Sequence, residues 1–73
     1  MYTVYGKKWC VYCERSKKLL EEKKIPYEFY DIEENQEAYD WMMENNRGMK
    51  TVPVIFEDDN LIGGFDNLRD KIK

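Results

Sequence analysis

Histidine is absent from these 73 residues, and cysteine occurs only twice, as Cys10 and Cys13. One chain therefore cannot supply the usual nitrogen and sulfur set of a tetrahedral zinc site, and no metal site is expected within it. Long apolar runs are missing as well. The longest span four or five residues, too few for a helix to cross a bilayer. Basic excess is missing: 12 Lys and Arg face 15 Asp and Glu, a net charge of −3, which argues against a nucleic-acid partner. The opening Met1-Tyr2-Thr3-Val4-Tyr5 has neither the charged start nor the long apolar body of a signal peptide. A reducing cytoplasmic setting is the expectation, and two cysteines there are not expected to form a permanent brace. Only four glycines and two prolines are present, with no linker, repeat or low-complexity stretch, so residues 1–73 read as a single domain. A chain of this length buries one modest core. With 42% hydrophobic and 37% charged residues, a soluble globular protein and a monomer are expected.

What is present is a succession of short periodic segments. Tyr2 to Tyr5 read as a strand, and Val11 to Lys24 as a helix with Cys13, Ser16 and Leu19 or Leu20 on its inner stripe. Pro26 breaks that helix. Tyr27 to Ile32 is aromatic-rich and strand-like, and Asn35 to Asn46 reads as a second helix with Ala38, Trp41, Met42 and Asn45 inward. The apolar run Val52 to Glu57 suits a strand covered on both faces. The polar turn Asp58-Asp59-Asn60 then leads to a short strand at Leu61-Ile62. Asp66 to Ile72 closes the chain as a short helix, with Asp66 as a candidate N-cap. The order is βαβαββα, an α/β fold.

This order puts Cys10 in the loop after the first strand and Cys13 in the first turn of the following helix. Two thiols so spaced can close a small disulfide ring and reopen it, which is thiol-disulfide exchange. The unpaired amides and positive dipole end of the helix favour a thiolate at Cys10, and Lys7 and Lys8 add positive charge nearby. Cys10 is thus the candidate nucleophile and Cys13 the resolving thiol.

A second constellation lies some forty residues on, in Lys50-Thr51-Val52-Pro53 and Gly63-Gly64-Phe65-Asp66. A strand, C-x-Y-C at a helix start, T-V-P opening the third strand and G-G-x-D before the last helix together resemble the glutaredoxin family, over nearly the whole chain. Val11-Tyr12 between the cysteines and the ending Gly63-Gly64-Phe65-Asp66-Asn67-Leu68-Arg69 look most like the short dithiol glutaredoxins of bacteriophages. The resemblance implies a thioredoxin-like fold, a four-stranded mixed sheet with three flanking helices. It implies a cis peptide between Val52 and Pro53, and glutathione as reducing co-substrate with no tightly bound cofactor. The implied glutathione groove comprises Lys7, Tyr12, Thr51, Val52, Pro53, Gly64, Phe65 and Asp66. In it Val52 pairs with the cysteine of glutathione, the amides near Phe65 and Asp66 take its γ-glutamyl carboxylate, and Lys7 takes the glycyl carboxylate or supports the thiolate. Implied partners are disulfide-containing proteins, with ribonucleotide reductase as the recipient of electrons in the phage-type members.

Three departures from the common family pattern stand out. Val11 replaces the proline of C-P-Y-C, so ring rigidity and reduction potential do not carry over. Trp9 stands where thioredoxins have tryptophan, as an apolar platform for protein substrates or else a partly buried surface aromatic. Met49 and Lys50 occupy a stretch that often holds a polar glutathione contact, for which Arg47 or Lys50 can substitute. Two other functions therefore stand beside the glutaredoxin reading. One is a thioredoxin-like reductant served by thioredoxin reductase. The other is a dimeric module sharing an iron-sulfur cluster through Cys10 and bound glutathione.

Overall fold

A computed structural model describes residues 1–73. Its elements are β1 (Tyr2–Gly6), α1 (Val11–Glu22), β2 (Tyr27–Asp31), α2 (Gln36–Asn45), β3 (Val54–Glu57), β4 (Asn60–Gly63) and α3 (Phe65–Ile72). The strands form one mixed sheet in the order β2-β1-β3-β4. β1 runs parallel to β2 and antiparallel to β3, and β4 completes a hairpin with β3. This is the four-stranded sheet with three flanking helices expected from the element order.

Alternation along the two central strands divides the core between the faces of the sheet. Val4 and Ile55 are register partners, and with Leu20 of α1 and Leu68 of α3 they form a fully buried cluster under those two helices. Tyr5 and Val54, the next partners, point to the opposite face. There, with Phe56, Ile32, Ala38 and Met42, they make the core beneath α2. Trp41 packs its ring 4.8 Å from that of Phe56 and 5.7 Å from that of Tyr5. The inner stripe of α1 is Cys13, Ser16 and Leu20, with Leu19 packed partly buried beside it.

The element boundaries differ from expectation where a turn competes with the periodic pattern. α1 stops at Glu22 rather than Lys24, because Lys24 adopts φ 59° and the Ile25 amide turns back to the Leu20 carbonyl at 2.9 Å. β2 ends at Asp31 rather than Ile32, its carboxylate accepting from the Glu33 amide to start a turn. β3 begins at Val54, two residues later than expected, since Thr51 to Pro53 form a bend with a cis Val52-Pro53 peptide. β4 is longer than Leu61-Ile62 by one residue at each end. Asn45 is exposed and Asn46 is the buried residue at the end of α2. The Asn46 side chain donates to the Met49 carbonyl and accepts from the Gly48 amide, both at 3.0 Å. Finally, Gly64 rather than Asp66 is the N-cap of α3. A glycine takes that place because Asn67, three residues on, accepts the Gly64 amide at 3.1 Å, while Gly63 supplies the turn at φ 125°.

Candidate active site

The carboxyl end of β1 and the amino end of α1 bring the two cysteines to the edge of the sheet. Cys10 is the N-cap of α1, and its Sγ accepts the Cys13 amide at 3.1 Å. Charge arriving on that sulfur during exchange therefore meets a hydrogen-bond donor at the positive end of the helix. The Cys10 thiol also lies 3.8 Å from the Val52 carbonyl, across 42 residues of sequence. Both cysteines are free thiols.

Cys13 has a different environment. It is fully buried one turn into α1, and burial pushes its thiol up to about 12, reinforced by its hydrogen bond with Cys10 and opposed by the Lys7 backbone amide. Space for Cys13 comes from Gly6. A Cβ on that glycine would lie 2.5 Å from the Cys13 Sγ and 3.1 Å from the Phe29 ring. One thiol is thus partly accessible and held at a helix cap, while its neighbour stays protonated in the interior. That division suits attack by the first and resolution by the second.

Beside Cys10 a cavity of about 380 Å³ runs between the bend before β3 and the start of α3. Tyr12, Thr51, Val52, Pro53, Gly64, Phe65 and Asp66 line it together, with Met49 and Asn67. Seven of the eight residues expected in a glutathione groove are thereby neighbours. The eighth, Lys7, lies across the Thr51-Val52 strip in an adjoining groove of about 600 Å³, with Lys50. Arg47 lines neither space. The Tyr12 and Phe65 rings stand 5.8 Å apart, with the Arg15 guanidinium 5.2 Å from the first ring and Arg69 5.8 Å from the second. Asp66 is exposed in an ion pair with Arg69 at 3.4 Å. Lys8 pairs with Glu34 at 3.9 Å, on the exposed surface. Trp9 is 94% exposed, so the partly buried alternative for it does not hold.

Sequence reasoning passed over Asn67 and Arg15. Asn67 was detectable, since it stands three residues after Gly64 in the place from which a side chain reaches back to the cap. Arg15 was also detectable, three residues after Tyr12 on one helix face.

The glutaredoxin family model matches residues 2–62. Glutaredoxin 1 of Rickettsia conorii is 40% identical over 68 residues, covering 92% of this chain and 67% of that protein. Glutaredoxin 3 of Escherichia coli is 38% identical over 65 residues, covering 89% and 77%. Among solved structures, the buckwheat glutaredoxin-glutathione complex superposes with a TM-score of 0.82 at 29% identity, covering 96% of this chain and 66% of that one. The Escherichia coli glutaredoxin-like protein NrdH-redoxin, described as having a thioredoxin-like activity profile, gives 0.79 at 25% identity, covering 97% and 88%. This chain spans about two thirds of the length of the Rickettsia and buckwheat proteins. The family model spans Cys10 and Cys13, the bend before β3 and most of the sheet, and with these relatives it assigns the chain to the glutaredoxin family of thiol-disulfide oxidoreductases.

Proposed function

We propose that this protein is a glutathione-dependent dithiol glutaredoxin that reduces protein disulfides and glutathione mixed disulfides in a reducing cytoplasm. The observation that carries the reading is the Cys10 thiol beside the carbonyl of Val52, a residue that lines a cavity ending on α3. Val52 lies outside the sheet, and its amide and carbonyl make no backbone hydrogen bond. They are free to pair with an extended cysteinyl residue as one rung of a ladder. The first amides of α3, at Phe65 and Asp66, likewise have no backbone partner and suit a carboxylate at the far end of the cavity. Glutathione has both features, and its complex with the buckwheat relative supports the assignment.

The reaction proceeds by two exchanges. The Cys10 thiolate attacks one sulfur of the substrate disulfide; a Cys10-substrate bond forms, the substrate S–S bond breaks, and the departing thiolate takes up a proton. Cys13, on losing its proton, attacks the Cys10 Sγ and releases the second substrate thiol. The substrate has then gained two electrons and two protons, and the cysteines hold a disulfide. One glutathione thiolate reopens the ring at Cys10, and a second removes the first as glutathione disulfide. Protein substrates are disulfides of accessible surface segments, with ribonucleotide reductase proposed among them.

A second reading, a reductant served by thioredoxin reductase, is favoured by the exposed Trp9 and by the likeness to NrdH-redoxin. Turnover coupled to glutathione and glutathione reductase, run beside turnover coupled to thioredoxin reductase, separates the two. Activity with glutathione and none with thioredoxin reductase is expected; the reverse overturns the proposal. Cys10→Ser should abolish both activities. Cys13→Ser should retain reduction of glutathione mixed disulfides and lose most reduction of protein disulfides.

A further inference from the structure

Three of the chain's four methionines, Met42, Met43 and Met49, line the groove on the α2 side of the Thr51-Val52 strip. Met42 is its buried floor, while Met43 and Tyr39 leave 50% and 38% of their surfaces open to solvent. Lys7 and Lys50 also line it, and neither is in an ion pair, although the chain as a whole carries a net charge of −3. At about 600 Å³ it is larger than the cavity on the α3 side, and the two share Met49, Thr51 and Val52 as a common wall.

Glutathione has no apolar side chain to set against Met42, Met43 and Tyr39. Its cysteine is flanked by a glycine without a side chain and by a γ-glutamyl arm ending in charge. A polypeptide threaded past Cys10 differs in carrying side chains beyond its cysteine. Pairing with Val52 would direct alternate side chains of such an extended segment to either side of the strip, one of them over the methionines. Thioether side chains are unbranched and polarizable, so they fit aliphatic guests of varied shape, and the two lysines complement a carboxylate beside the guest.

We propose that this groove is the docking site for the cysteine-bearing segment of a protein substrate, an extended strand with a bulky aliphatic residue near its cysteine and an acidic residue two positions beyond it, on the same side. The inference rests on the disulfide-reductase reading above and adds a specificity pocket that distinguishes protein disulfides from glutathione mixed disulfides.

The test uses disulfides that each join two identical single-cysteine synthetic peptides, so that the peptide and not glutathione meets Val52. One set has the sequence Gly-Gly-Cys-Gly-Leu-Gly-Glu, a second the reversed order, and each has a control with Leu replaced by Gly. Reduction is followed with glutathione and glutathione reductase, beside the mixed disulfide of glutathione with cysteamine. The leucine peptide of one order is expected to show a kcat/KM about tenfold above its glycine control, equivalent to about 1.4 kcal/mol. Met43→Glu and Tyr39→Gln should each remove most of that preference, chiefly through KM, and leave turnover of the cysteamine disulfide within twofold. Thermal unfolding of both variants checks that the fold is kept. The docking proposal is overturned if leucine and glycine peptides are equivalent in both orders, or if both variants that fold keep the preference. It is also overturned if they lower cysteamine-disulfide turnover to the same degree as peptide turnover. Absence of glutathione-coupled turnover on every substrate, cysteamine disulfide included, would instead refute the reading on which it rests.

Discussion

Replacing Gly6 by alanine tests how the Cys13 thiol is seated. The new Cβ would sit 2.5 Å from the Cys13 Sγ, roughly 1 Å inside the 3.5–4.0 Å optimum for non-bonded atoms. Cys13 is fully buried, and the same Cβ would also lie 3.1 Å from the Phe29 ring, so the added methyl is crowded from two sides. Overpacking of this kind costs about 1–3 kcal/mol. The lower entropy of the unfolded alanine chain offsets about 0.4–1 kcal/mol of it. A net loss of about 1.5 kcal/mol is expected, which lowers the melting temperature of a domain this small by about 10 °C. The decisive comparison is a double-mutant cycle by urea unfolding. In a Cys13→Ala background the sulfur is gone, and Gly6→Ala should cost less than about 0.5 kcal/mol, a coupling of about 1 kcal/mol or more between the two positions. Equal costs in both backgrounds would refute the reasoning and locate the need for glycine in the strand backbone.

Alkaline pH should weaken the fold through Cys13. Its folded value of about 12 lies above that of an ordinary thiol near 9, so between these limits the folded state keeps a proton that the unfolded chain has lost. This contribution is complete below about pH 9 and is lost progressively as pH rises toward the folded value. Tyr27, raised to about 12 by burial and Glu21, acts in the same direction. Urea unfolding from pH 8 to 11 should show the decline, and Cys13→Ala should flatten it; an unchanged slope would exclude Cys13 as the source. Asn46→Ala should cost about 1–3 kcal/mol, because its buried side chain bridges the Gly48 amide and the Met49 carbonyl. Since Met49 lines both spaces flanking Val52, the same variant should raise KM for glutathione and peptide disulfides with a smaller effect on kcat. A melting temperature equal to that of the parent would rule out the bridge as a stabilising contact.

Much of the site was legible because its parts are local. A cysteine at a helix start caps that helix by its own side chain, and the spacing of Cys10 and Cys13 puts the second thiol one turn inward. The nearly unbroken apolar run at Val54 to Phe56 likewise needs no partner to declare a strand covered on both faces. Boundaries were harder to read where polar side chains or unusual backbone angles settle them. Lys24 enters the left-handed region without being glycine, and the Asp31 carboxylate ends β2 before the apolar Ile32. Asp66 looked like a cap by residue type, yet Gly64 takes that place because the cap amide is satisfied from Asn67.

By itself the sequence determined the order of elements and pointed to Cys10 and Cys13 as the candidate thiol pair, since each follows from spacings within a few residues. Only the tertiary structure decided that Val52 stands beside Cys10, that Lys7 is separated from the cavity at α3, and that Gly6 makes the space for Cys13. These relations join residues far apart in the chain. They depend on strand register and on the packing of α1 and α3 over the sheet, which no local pattern encodes.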